Sequence, residues 1–223
     1  MSQPLDETTQ ELFSEVGRLK ALHDLSLLDN KAETVYDRFT QLVHDVLKTP
    51  IALISLVADD YQYFKSEIGL EEPWKSQGKT PLSYSFCQHV VATDQPLIVD
   101  NALDNDLVKD NLAVKEMHVM AYLGVPLDLQ DGTRLGSFCA LDNQVKNWDA
   151  DDLAIMQELA EIITIEFNLR AEVYVDPSRQ HELEELHQRI DDLISSLDTN
   201  MPKSDFLVAL GTARAEFNLK NTV

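Results

Sequence analysis

The stretch AYLGVPLDLQDGTRLGSFCALDN, residues 121–143, holds two β-like runs around Gln130-Asp131-Gly132-Thr133. Asp-Gly between such runs signals a hairpin, because a tight turn demands the positive φ that glycine supplies without strain. The strand period of two puts Ser137 and Cys139 on one face of the second run and Phe138 and Ala140 on the other. A second hairpin lies upstream. IALISLVA, residues 51–58, is a continuous apolar run that reads as a buried strand; Asp59-Asp60 turns the chain, and YQYFKSEIGL returns until Gly69. PLIVDN at 96–101 adds a strand whose leading Pro96 suits a sheet edge.

Helical patterns flank these strands. Phe13, Val16, Leu19 and Leu22 have helical spacing behind an acidic N-terminus. Asn30 and Glu33 have the spacing of a capping box, followed by Val35, Phe39, Leu42, Val43 and Val46 on one face until Pro50. EEPWKSQGKTPLSY, residues 71–84, reads as a loop, SFCQHVVAT at 85–93 as a short helix, and DNDLVKDNLAVKEM at 104–117 as polar and helix-prone. Asp149 and Asp152 begin a long helix with Leu153, Met156, Leu159, Ile163 and Phe167 as its apolar stripe and Glu158, Glu161 and Glu166 toward water. Pro177 marks a boundary. Beyond it Leu183, Leu186, Ile190, Leu193 and Leu197 follow a 3-4 rhythm, too short to hold a coiled-coil dimer alone, and Phe206, Leu210, Ala213 and Phe217 line a last helix. The order predicts an α+β domain with helices on an antiparallel sheet.

Charge limits the function classes. Eighteen Lys and Arg stand against 39 Asp and Glu, a formal net of −21 over 223 residues, with the basic residues scattered singly. Phosphate backbones and anionic lipid surfaces repel such a chain, so neither nucleic acid nor membrane is an expected partner. The start, MSQPLDETTQE, lacks the apolar core of a secretory signal, and no apolar run approaches the ~20 residues that cross a bilayer. The expected location is cytoplasmic, where the thiols of Cys87 and Cys139 rest reduced.

The segments RLKALHDLSLLDN (18–30), PIALISLVADDYQYFKSEIGL (50–70), SFCQH (85–89), LIVDNALDN (97–105), AYLGVPL (121–127) and LGSFCALDN (135–143) resemble, in succession, the GAF family of ligand-sensing domains. The likeness is to bacterial members with an SFC-x-H segment and a later LG-x-x-C-x-x-D strand, and it covers residues 18–172. It implies an antiparallel sheet with terminal helices on one face and a small-molecule pocket under loops on the other. It also implies dimerisation through those helices and a signal passed to an output partner. Residues 1–17 then form an acidic lead-in and 173–223 a helical hairpin or short coiled-coil tail. No catalytic signature follows residue 172, so a freestanding, non-enzymatic sensor is expected. The cofactor, if any, is not named by the pattern. Cyclic-nucleotide members carry Asn-Lys, then Phe, three residues and Asp-Glu; this chain has Asn143-Gln144, Trp148 and Asp152-Leu153. Chromophore-bearing members put His directly after the attachment Cys, whereas Gln88 separates Cys87 from His89. In the methionine sulfoxide reductases of this family the cysteines lie in other segments.

The candidate ligand-binding residues are Phe64, Trp74, Tyr84, Ser85, Cys87, His89, Tyr122 and Cys139. The two cysteines admit two readings. At the start of a short helix, Cys87 gains from backbone N–H groups, with His89 close enough to assist, and Cys139 could complete a redox pair or thiol-enzyme site. Alternatively both are small hydrophobes filling a core. Cys87, His89, His118 and Cys139 lack recognised zinc-ligand spacing, so no metal is expected. A third possibility is a pure protein-interaction module.

Overall fold

The computed structural model describes residues 7–29 and 33–219. Chain order is α1 (Glu7–Phe13), α2 (Val16–Asp24), α3 (Thr34–Leu47), β1 (Ile51–Val57), β2 (Tyr61–Ile68), α4 (Trp74–Gln77), β3 (Lys79–Pro81), α5 (Cys87–Thr93), β4 (Leu97–Val99), α6 (Leu112–Glu116), β5 (Ala121–Asp128), β6 (Arg134–Asp142), α7 (Ala150–Val175), α8 (Gln180–Ser196) and α9 (Lys203–Leu219). The strands form one six-stranded sheet in the order β3-β2-β1-β6-β5-β4, antiparallel at every pairing. Both predicted hairpins are present. In the β5–β6 turn Gly132 takes φ +84°, its N–H reaching the Leu129 carbonyl at 2.9 Å.

Strand alternation sorts the core into two clusters, one on each face of the sheet. Ala52, Ile54 and Leu56 of β1, Leu123 and Val125 of β5, and Phe138 and Ala140 of β6 point to the face covered by α3 and α7. Leu53, Val57, Phe64, Tyr122, Cys139 and Leu141 point to the other, covered by short elements including α5 and joined by Phe13 of α1. We call these the helical and distal faces.

The tail folds back on its own chain. The predicted heptad stripe of Leu183, Leu186, Ile190 and Leu193 is buried in the helical-face core, as are Phe206, Leu210 and Phe217 of α9. Ion pairs fasten the hairpin: Arg214 to Glu158 and Glu161, and Lys203 to Asp149 and Asp152.

Four local expectations change. The N-terminal helical pattern divides at Ser14-Glu15, leaving Val16 79% exposed while Phe13 is buried. Asn30 lies outside the described residues, and Glu33 precedes the first turn of α3 rather than sitting inside it; its carboxylate meets Lys65 and Arg170 instead. The 71–84 segment is not wholly loop, since it contributes α4 and the edge strand β3. Glu166, expected to face water, is fully buried: Tyr36 donates to it at 2.6 Å, Arg170 at 2.7 Å, and the His187 ring lies at 2.9 Å. Seven residues after Leu159, it shares that residue's side of α7 rather than the side of Glu158 and Glu161, and α3 and the tail cover it there. By contrast the Asp149–Asp152 capping box on α7 forms as expected.

Candidate functional site

At the centre of the distal face the structure brings Cys87 and Cys139 together, their Sγ atoms 3.7 Å apart. Two elements accomplish this. Cys139 lies in the middle of β6, opposite Leu53 of β1 and Gly124 of β5, so it sits deep in the sheet. Cys87 is the first residue of α5, whose start is set by Ser85: its hydroxyl accepts from the Gln88 N–H at 3.0 Å. Cys87 is 2% exposed and Cys139 is 0% exposed.

Tyr122 completes the group. Its hydroxyl donates to Cys87 Sγ at 3.3 Å and lies 3.2 Å from the Ser137 Oγ. The ring runs along β5 over Gly124: a Cβ there would fall 2.1 Å from the Tyr122 hydroxyl oxygen. Glycine makes room for the tyrosine. Phe86 packs against the Tyr122 ring with centroids 5.4 Å apart. These side chains pack together on the distal face, the side on which the resemblance implied a pocket.

The electrostatics single out Cys87. Its thiol is lowered to about 7, first by the hydrogen bond from Cys139 and then, against the cost of burial, by Tyr122, Ser55 and Ser137. Burial pushes Cys139 well above the ordinary thiol range, and its sharing with Cys87 adds to that. One proton is therefore easily lost from the pair and the other held. His89 takes no part: it is half-buried, burial lowers its ring to about 4, and it is not among the partners of the Cys87 sulfur. Its expected assistance to the thiol is thus replaced by Tyr122. His118 is exposed and does not join the sulfurs.

A neutral hydrogen-bonded network adjoins this cluster. Ser55 and Ser85 donate to Gln62 Oε1 at 3.1 and 2.6 Å, and Gln62 Nε2 donates to Thr80 at 2.7 Å. All four are buried. Asn111, also buried, donates to the Ser85 carbonyl at 3.1 Å. Sequence reasoning named Ser85 but missed Ser55, Gln62, Thr80, Asn111 and Ser137. The signal was present for Ser55 and Ser137, each a polar residue at an alternate position within an otherwise apolar strand.

The remaining candidates separate. Phe64 is buried in the distal cluster. Trp74 and Tyr84 form a half-buried pair at the rim, ring centroids 4.8 Å apart, with Tyr84 donating to Glu116. Two surface grooves of about 470 and 530 Å³ lie along α7, and neither is lined by a candidate residue.

A family model for the GAF domain matches residues 31–167, more than half of the 223-residue chain. A cyclic di-GMP phosphodiesterase of Pseudomonas aeruginosa is 29% identical over 165 residues, which cover 73% of this chain and 27% of that protein. The chain thus spans about a quarter of that relative's length. The GAF domain of a phosphoenolpyruvate-protein phosphotransferase from Coxiella burnetii superposes with a TM-score of 0.52 at 16% identity, over 72% of this chain and 96% of that one. The corresponding Acinetobacter domain gives 0.51 at 15% identity, over 73% of this chain and 98% of its own. These two likenesses show the fold. No helix among the described residues is long and apolar enough to cross a membrane. By the extent of the family match, and with the six-stranded antiparallel sheet to support it, the chain belongs to the GAF domain family.

Proposed function

We propose that this GAF domain is a non-enzymatic regulatory sensor whose small-molecule site is the distal face beneath α5. The observation that carries this is the buried set of uncharged hydrogen-bonding groups at the sheet centre. Ser55, Gln62, Thr80, Ser85, Ser137 and Tyr122 are all within 4% of full burial. A core needing only stability is better filled with apolar side chains, because each buried polar group must find a partner. Groups that satisfy one another can instead exchange those bonds for bonds to a ligand.

Binding requires the Tyr122 ring and α5 to give way. The ligand therefore acts by favouring a rearranged distal face, and the shift is limited by its differential affinity for the two arrangements. The short α5, with seven residues, is the element best placed to move. Signal passes through β6, whose other face packs against α3 and α7, to the tail. We take the output to be a homodimer contact or a partner protein. Dimerisation through the α3–α7 face would require the tail hairpin to leave it, because α8 and α9 cover that face in this chain.

Thermal-shift screening of the full chain against a metabolite collection tests the site. A stabilising compound that loses its effect in Tyr122→Phe and Gln62→Leu supports it. Stabilisation that both variants retain would place the ligand elsewhere.

A further inference from the structure

We propose that Cys87 and Cys139 form a reversible intrachain disulfide when the chain meets a hydroperoxide, Cys87 acting as the nucleophile and Cys139 as the resolving thiol. The sulfurs already stand in contact at 3.7 Å. A disulfide needs ~2.05 Å, so a modest approach of α5 toward β6 closes the bond. No other cysteine exists in the chain to compete. The disulfide needs no ligand, although it shares Tyr122 and the movement of α5 with the small-molecule reading.

The geometry divides the labour. Cys87 receives the Tyr122 hydroxyl at 3.3 Å and the Cys139 thiol, two donors that favour its thiolate. The Cys139 sulfur also lies 3.8 Å from the Leu53 carbonyl, which shares its one S–H with Cys87, and burial keeps that proton on Cys139. In the first step the Cys87 thiolate attacks one oxygen of the hydroperoxide. The O–O bond breaks, the alkoxide leaves and takes a proton, and Cys87 becomes a sulfenic acid. In the second step Cys139 loses its proton and attacks the Cys87 sulfur, and the departing hydroxide leaves as water. Two thiols and one hydroperoxide thus give one disulfide, one alcohol and one water; a dithiol reductant reverses the change. Both sulfurs are sealed in the resting fold. Oxidation therefore proceeds through opening of α5, and hydrogen peroxide reacts faster than a bulky organic hydroperoxide.

The consequence is structural. Closing the bond draws the start of α5 toward the sheet and removes the thiolate that Tyr122 serves, leaving its hydroxyl to Ser137.

The reduced full chain is treated with hydrogen peroxide and followed by intact mass and thiol titration. Expected is a monomeric product lighter by two hydrogen atoms, without free thiols, restored by dithiothreitol. The rate should rise with pH about a midpoint near the Cys87 value of about 7. In Cys139→Ser, dimedone should trap a sulfenic acid on Cys87; in Cys87→Ser, trapping at Cys139 should be lost. Both thiols surviving excess peroxide in the unaltered chain, or a disulfide between chains, would overturn the proposal. Faster trapping at Cys139 than at Cys87 would overturn the assigned roles. Both readings are tested on the unaltered chain by different readouts, so a chain that resists peroxide can still show a ligand-dependent thermal shift, and the reverse.

Discussion

The two faces of the sheet bury polar groups in opposite ways. On the helical face the main cluster is charged: the buried Glu166 and Lys65 with the partly buried Glu33 and Arg170, completed by Tyr36 and His187, beside one neutral pair, Thr40 and Ser66. At the centre of the distal face they are neutral hydroxyls, amides and thiols, the buried Arg18 guanidinium lying apart from them on the Phe13, Val57 and Ala58 carbonyls. A buried charge cannot lose its partner without a large desolvation cost, whereas neutral groups can trade partners at about 1 kcal/mol each. The helical face is therefore the rigid one and the distal face the adjustable one. Changes at the two faces should differ in size and kind.

The largest expected effect is Arg170→Met. It leaves the Glu166 and Glu33 carboxylates without their shared cation, and urea unfolding should show a loss of roughly 3–5 kcal/mol. A loss below ~1 kcal/mol would mean that the cluster is not the rigid anchor. Gly124→Ala comes next. The added methyl displaces the Tyr122 ring, which should cost ~1–3 kcal/mol and change the near-ultraviolet circular dichroism while leaving far-ultraviolet helicity intact. An unchanged aromatic spectrum would contradict the placement of Tyr122.

The pH dependence sharpens the contrast. Burial alone would raise the Glu166 carboxyl, but His187, Arg170 and Tyr36 together bring it below its ordinary value. A depressed carboxyl stabilises the fold above its unfolded-state pKa, ~4.3, and that contribution is lost as pH falls through the folded value. Cys87, held at about 7 chiefly by the Cys139 hydrogen bond, releases its proton in the folded chain before the unfolded chain does, at ~8.5. Stability should therefore rise between those two values, and Cys87→Ser should abolish the rise without altering the acid limb. Denaturation midpoints across both windows check this. The smallest effect belongs to the rim: Trp74→Ala removes a half-buried stacking partner of Tyr84 and should cost ~1 kcal/mol or less in urea unfolding.

Much of the architecture was legible because it depends on local chemistry. Asp131-Gly132 declared one hairpin, the run from Ile51 declared a buried strand, and Asp149 with Asp152 marked the start of α7. The site was half legible. Alternation placed Cys139 beside Ser137 and opposite Phe138, but the choice of face depends on what packs against each side, which is a long-range fact. That Cys87 meets Cys139 follows from α5 docking over β6, across 52 residues of sequence. Glu166 is a different case: its place seven residues after Leu159 already sets it beside the apolar stripe of α7, and only its partners, such as His187, are long-range. His89 illustrates the limit of proximity in sequence, since two residues from Cys87 on a helix lies on another side.

Native-state hydrogen exchange of the full chain tests most directly whether the sheet separates a rigid face from an adjustable one. The amides of α5 should exchange through local openings of low free energy, and those of α3 and α7 only near the global unfolding limit. Equal protection of α5 and α7 would contradict that separation.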